Sequence, residues 1–133
     1  MPLSLEIVLG IGALLHAFFM FLELYPWPWP FALKGSPLEG SLTDVQQKFV
    51  AGILHNVGIY NGILAGGFLF ALLREPVRVP VGEVMFAGAL AAGIFGAATL
   101  ESLARYLAAV QAAVGVFGLY LVLAVKPNQV PLL

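Results

Sequence analysis

The sequence predicts an all-α polytopic membrane protein, a four-transmembrane-helix bundle forming one domain over residues 1–133. Three observations predict it. Mean hydropathy is +0.98, and 61% of residues are hydrophobic against 10% charged, beyond what a soluble domain carries. The chain holds four apolar segments of about 20 residues, the length that crosses a hydrocarbon core. Proline and glycine clusters separate them, and no stretch remains for a water-soluble domain.

The first span runs over about 3–24 and stops at Pro26, because proline cannot continue a helix and restricts the residue before it. It reads as an uncleaved helix: no basic region precedes it, and Tyr25-Pro26-Trp27 follows where a signal peptide would carry small residues. Tyr25, Trp27 and Trp29 suit the headgroup layer, and prolines stiffen that stretch. Gly35, Pro37 and Gly40 punctuate the loop to about Leu42. Thr43 and Gln46 have the spacing of a capping box that opens the second span, about 45–74. That helix exceeds what the hydrocarbon requires, so Asp44 to Lys48 project into the interface. Pro76 and Pro80 frame the next loop, beside Arg74 and Arg78. The third span covers about 81–100 and the fourth about 102–125. One uninterrupted helix would reach ~65 Å, twice the bilayer core, which predicts a tight reversal near Glu101. Lys126-Pro127-Asn128 ends the last helix.

Arg74, Arg78 and Lys126 fall on the side of the N-terminus, and Lys34, Lys48 and Arg105 on the other, a tie by count. The compact Arg74/Arg78 loop tips the expectation toward both termini being cytoplasmic. Small residues recur every four positions at Gly58, Gly62 and Gly66, at Gly88, Ala92 and Gly96, and at Ala104, Ala108 and Ala112. Such stripes let helix backbones approach closely and predict a compact bundle.

Composition excludes several function classes. With no cysteine, disulfide and thiolate chemistry are out. A net charge of −1 and six scattered Lys/Arg do not make the clustered basic face that nucleic acid needs. No Gly-rich phosphate loop or Ser-His-Asp arrangement is present; Gly10-Ile11-Gly12 lies inside a span and means packing.

The candidate functional residues are polar side chains at places lipid should reject. His16, Glu23, His55, Asn56, Thr99, Glu101 and Gln111 come from four spans and fall in one half of the bilayer. Helical rise puts His16 and Gln111 ~12 Å and His55 and Asn56 ~9–10 Å inside the face bearing the Pro-rich loop. Glu23, Thr99 and Glu101 sit at its edge, and Tyr60 and Asn61 lie deeper. His16 and Glu23 are seven apart and share a face; Asn56 and Tyr60 are four apart and share another. His55 and Asn56 are ~100° apart, and alignment with Tyr60 makes Asn56 the inward one. Taken singly, each has a plainer role: interhelical hydrogen bonding for His16, Asn56, Asn61 and Gln111, an interfacial carboxylate for Glu23, a surface ion pair for Glu101 with Arg105. Their common depth on four helices predicts a shared polar pocket.

The stretches Leu15-His16, Leu22-Glu23, His55-Asn56-Val57-Gly58-Ile59-Tyr60-Asn61-Gly62, Ala92-Gly93-Ile94-Phe95-Gly96-Ala97-Ala98-Thr99 and Val110-Gln111 resemble the small bacterial integral membrane proteins catalogued as domain of unknown function 1304. The resemblance covers all four spans. It implies a four-helix membrane protein, in the inner (cytoplasmic) membrane, whose motif residues are His16, Glu23, Asn56, Tyr60, Asn61, Thr99 and Gln111; it implies no activity. Two positions depart from the family's pattern, Leu15 where an acidic residue is expected and Val57 where glutamine is expected. Both make the pocket less polar.

The functional expectation is a pocket for a small lipophilic molecule, formed by His16, Glu23, His55, Asn56, Tyr60, Asn61, Thr99 and Gln111, with acid/base chemistry at His16 left open. The alternative is an accessory or structural subunit of a larger membrane complex, or a homo-oligomer, with membrane lipids as the surroundings and no nucleic acid. No cofactor is expected. A bis-histidine haem b held by His16 and His55 is the alternative cofactor reading, and no metal site is expected, because His16, Glu23 and His55 have no recognised ligand spacing.

Overall fold

The computed structural model describes residues 3–25 and 40–125. The Trp27/Trp29 segment with Lys34, Gly35 and Pro37, and the terminal Lys126-Pro127-Asn128, lie outside the described residues. Four α-helices account for most of the rest: α1 (Leu3–Leu24), α2 (Asp44–Leu73), α3 (Arg78–Thr99) and α4 (Ser102–Val125). All four are long and apolar enough to cross a membrane.

Local chemistry explains the boundaries. At the start of α2 the Thr43 side chain accepts from the Gln46 backbone N–H, and the Gln46 side chain accepts from the Thr43 N–H at 2.9 Å, a complete capping box. Gly40 precedes it with φ +73°, a conformation glycine adopts without a Cβ penalty. The Pro76/Pro80 loop is shorter than the sequence suggests. A single turn of 3-10 helix, Glu75–Val77, leads straight into α3 at Arg78. Pro80 sits in the first turn of α3, where its missing N–H has no partner to lose.

The helices run alternately up and down. α1 lies along α2 and α3 along α4, and these two hairpins meet side by side. Each helix buries a narrow stripe, in α1 Leu5, Val8, Leu9, Gly12, His16 and Phe19 at spacings of three and four. The outside is apolar: Leu14 is 74% exposed, Phe95 71% and Ile63 64%. Such a surface suits acyl chains and not water.

Where no hydrophobic effect drives helices together, backbone proximity does. A Cβ at Gly93 would run into the backbone of Ala112, and one at Gly115 into the backbone of Leu90, so α3 and α4 touch main chain to main chain. Gly58 and Gly62 receive Leu24 and Met20 of α1. Gly66 and Gly88 have open space instead, so the α3 seam runs through Gly93 and Gly96, not Gly88.

The main apolar core fills one end. Leu5, Leu9, Phe68, Phe86 and Val122 are fully buried there. Arg78 closes that end from below. Its guanidinium donates to Glu6 at 2.6 Å and to the Ala71 and Leu72 carbonyls at 3.3 and 2.8 Å. Those carbonyls are orphans of the α2 C-terminus, and Arg78 satisfies them while pairing with α1.

Candidate functional site

A cavity of about 440 Å³ lies at the opposite end, between the hairpins. Its walls come from the C-terminal part of α1 (Phe19, Leu22, Glu23), the N-terminal half of α2 (Leu54, Val57, Tyr60, Asn61, Leu64), the end of α3 (Ala92, Gly96) with Leu100, and the start of α4 (Leu103 through Gln111). Antiparallel order brings these four stretches to one depth. The lining is mostly apolar, with Glu23, Tyr60, Asn61 and Gln111 as its polar members among the described residues.

Three of the predicted residues form one hydrogen-bonded chain. Asn61 Oδ1 lies 2.8 Å from His16 Nδ1, and Asn61 Nδ2 donates to Glu23 Oε2 at 2.7 Å. An amide oxygen only accepts, so the network assigns the proton to His16 Nδ1. His16 Nε2 is then a buried acceptor with no hydrogen-bond partner among the described residues. The ring is 1% exposed, stacks on Phe68 at 5.5 Å and meets Phe19 edge-on at 5.9 Å. His16 therefore lies beneath the cavity and does not line it. It holds Asn61, and Asn61 holds Glu23. Two such interhelical bonds contribute ~0.6–2 kcal/mol each.

The other predicted residues divide. Gln111 is buried and lines the cavity from α4, and Tyr60 lines it while remaining mostly exposed. His55 and Asn56 face outward, contrary to the inward expectation for Asn56. The α2 stripe that meets α1 and the cavity is Leu54, Val57, Asn61 and Leu64, and Asn56 lies ~100° from Val57. Asn56 belongs instead to a shallow outer depression with Lys48, Phe49, Gly52 and Ile53. Thr99 is exposed, its hydroxyl donating to the Phe95 carbonyl at 2.8 Å, a local bond typical of helix threonines. Glu101 is exposed, and the expected pair with Arg105 does not form. Arg105 Nε donates to the Leu100 carbonyl at 2.9 Å, taking up an acceptor left by the end of α3. With His55 outside and His16 sealed inside, the two imidazoles do not face a common space for haem. Among the described residues no group of three His, Asp or Glu could hold a metal ion.

Apart from Val57, the apolar walls have no mark in the sequence that separates them from lipid-facing positions. Leu54, Val57 and Leu64 of α2 and Leu103, Leu107 and Ala108 of α4 carry the spacing of one helix face. Val57 lies on the cavity wall and Leu15 does not.

Comparison with the curated proteins and with the solved structures returns no match. The model of one family, described as "Protein of unknown function (DUF1304)", matches residues 10–123, from the first turns of α1 almost to the end of α4. By sequence, and with four apolar helices of spanning length, the chain belongs to the DUF1304 family.

Proposed function

We propose that this protein binds a small lipophilic molecule in the cavity between its two hairpins. The cavity itself carries the reading: about 440 Å³, largely apolar walls, and four polar side chains converging from three helices. That combination of size, apolar lining and few fixed polar groups is what ligand sites have in common. The small-residue stripes support the same reading over an accessory-subunit role. Gly58, Gly62, Gly93, Gly96 and Gly115 are consumed by contacts inside the chain, and of the stripe glycines Gly66 and Gly88 stay open. Binding is favoured over acid/base catalysis because the imidazole is spent on Asn61 at one nitrogen and enclosed at the other.

Ala104 lies on the cavity wall, half-buried, and phenylalanine there would occupy the space. Wild type purified in mild detergent should retain an amphiphile detectable by mass spectrometry after denaturation. Ala104→Phe should retain none while unfolding at a similar temperature. An identical lipid complement in both would overturn the reading.

A further inference from the structure

Among the described residues the proposed cavity has a carboxylate and no cation. Glu23 lines it, and among the described residues Glu23 has one hydrogen-bond partner, Asn61, and no ion-pair partner. The ion pair Arg78–Glu6 is at the other end of the bundle. Lys48 borders the outer depression, and Arg105 is exposed and bonded to the Leu100 carbonyl. Among the described residues no lysine, arginine or histidine is on the cavity wall.

The hydrogen-bond chain settles what Glu23 offers. His16 occupies the Asn61 oxygen, which turns the Asn61 amide nitrogen toward Glu23 as a donor. Oε2 accepts that bond, and Oε1 remains as an acceptor. A second polar group sits deep in the same walls: Gln111 is 8% exposed, and no hydrogen bond from its amide is seen among the described residues. An acceptor of this kind in a low-dielectric wall gains most from a partner that is charged and carries several hydrogens. A ligand carboxylate would meet like charge.

We infer that the cavity takes an amphiphile whose polar end is an amine, with the ammonium on Glu23 and Gln111 and the tail along Leu54, Val57 and Leu107. This rests on the cavity being a ligand site. The ammonium could belong to a free lipophilic amine or to an aminophospholipid headgroup, and both present the same N–H donors.

The test uses the full chain in phosphatidylcholine nanodiscs, whose headgroup has no N–H. Dodecylamine, dodecanol and dodecanoic acid are added at equal mole fraction and the unfolding temperature is read; a parallel arm replaces part of the lipid with phosphatidylethanolamine. Dodecylamine should raise Tm by about 4 °C, more than the alcohol or the acid. Glu23→Gln should need about tenfold more amine for the same rise, while Glu23→Asp keeps the preference for the amine. A rise with phosphatidylethanolamine assigns the headgroup as a source, and a rise with the free amine alone assigns the free amine. Equal rises with all three probes in wild type, or an amine preference that survives Glu23→Gln, overturn the inference. If those rises vanish in Ala104→Phe, the cavity remains a ligand site with a different headgroup. If no probe stabilises wild type more than Ala104→Phe, the ligand site falls as well.

Discussion

At the Arg78 end of the bundle the same four helices are packed shut that, at the Glu23 end, stand around a cavity. Side-chain volume makes much of the difference. Toward the closed end, glycine faces phenylalanine. A Cβ on Gly12 would lie 2.8 Å from the Phe68 ring, one on Gly118 would overlap Phe86, and the two rings meet at 5.1 Å. At the open end no glycine faces a ring: Gly96 meets Ala108, with Ala92 and Ala104 nearby on the wall, and Gly58 meets Leu24. Both ends use small residues to bring backbones together, but only the closed end sets phenylalanine rings directly on its glycines. His16 stands at the boundary, its ring against Phe68 and its Nδ1 joined to the polar chain that reaches the cavity.

If that contrast is right, large-to-small changes should cost very different amounts at the two ends. Phe68→Ala removes a fully buried ring that contacts His16 and Phe86. It should lower unfolding free energy by about 3–5 kcal/mol, as buried aromatic truncations do. Leu107→Ala, at a wall that already borders empty space, should cost about 1 kcal/mol or less. Equilibrium unfolding of both in the same mixed micelles checks this; equal losses would mean the two ends are packed alike.

Arg78 offers the next effect. Arg78→Ala leaves Glu6 unpaired and the Ala71 and Leu72 carbonyls without a donor. Glu6 keeps partial access to solvent, which tempers the loss, and about 2–3 kcal/mol is expected. Arg78→Lys should restore only part, since an ammonium lacks the planar fork that reaches three acceptors. A full rescue by lysine would show that charge alone holds this end.

Asn61→Ala tests the boundary from the cavity side. It severs both hydrogen bonds and should cost about 1–2 kcal/mol by unfolding in micelles. Asn61→Asp, which cannot donate to Glu23 and sets a second carboxylate beside it, should be at least as damaging. A neutral outcome for both would show that the chain of bonds does not hold Glu23 in place.

These residues also show what the sequence could and could not disclose. The capping box at Thr43 was legible because it is settled within four residues by local backbone donors. The spans were legible from hydropathy and length, which require no knowledge of neighbours. Rotation about the helix axis was not. Small residues nearly surround α3, so a stripe through Gly88 and one through Gly93 are equally good patterns, and only the position of α4 selects between them. Arg78 reads as a loop charge relevant to membrane orientation, yet it is 9% exposed and committed to three partners, two of them main-chain carbonyls that no sequence pattern marks. The site divides the same way. Depth followed from counting residues and brought His16, Glu23 and Gln111 near one another with Asn61 deeper, while the inward rotation expected of Asn56 depended on phase and came out reversed: Asn56 faces out, and Asn61 reaches Glu23.

That reversal yields the smallest expected effect and the sharpest check on where the site lies. His55 and Asn56 are exposed on the outer side of α2, and no hydrogen bond from either side chain is seen among the described residues. Alanine at each should leave stability within about 0.5 kcal/mol of wild type, as surface substitutions do. Amphiphile retention should be unchanged as well, because neither residue lines the cavity. Retention lost in Asn56→Ala but kept in Ala104→Phe would move the site across α2 to the depression beside Lys48 and Phe49. Glu23 would then have no ligand to meet, and the open end of the bundle would be a packing defect instead of a pocket.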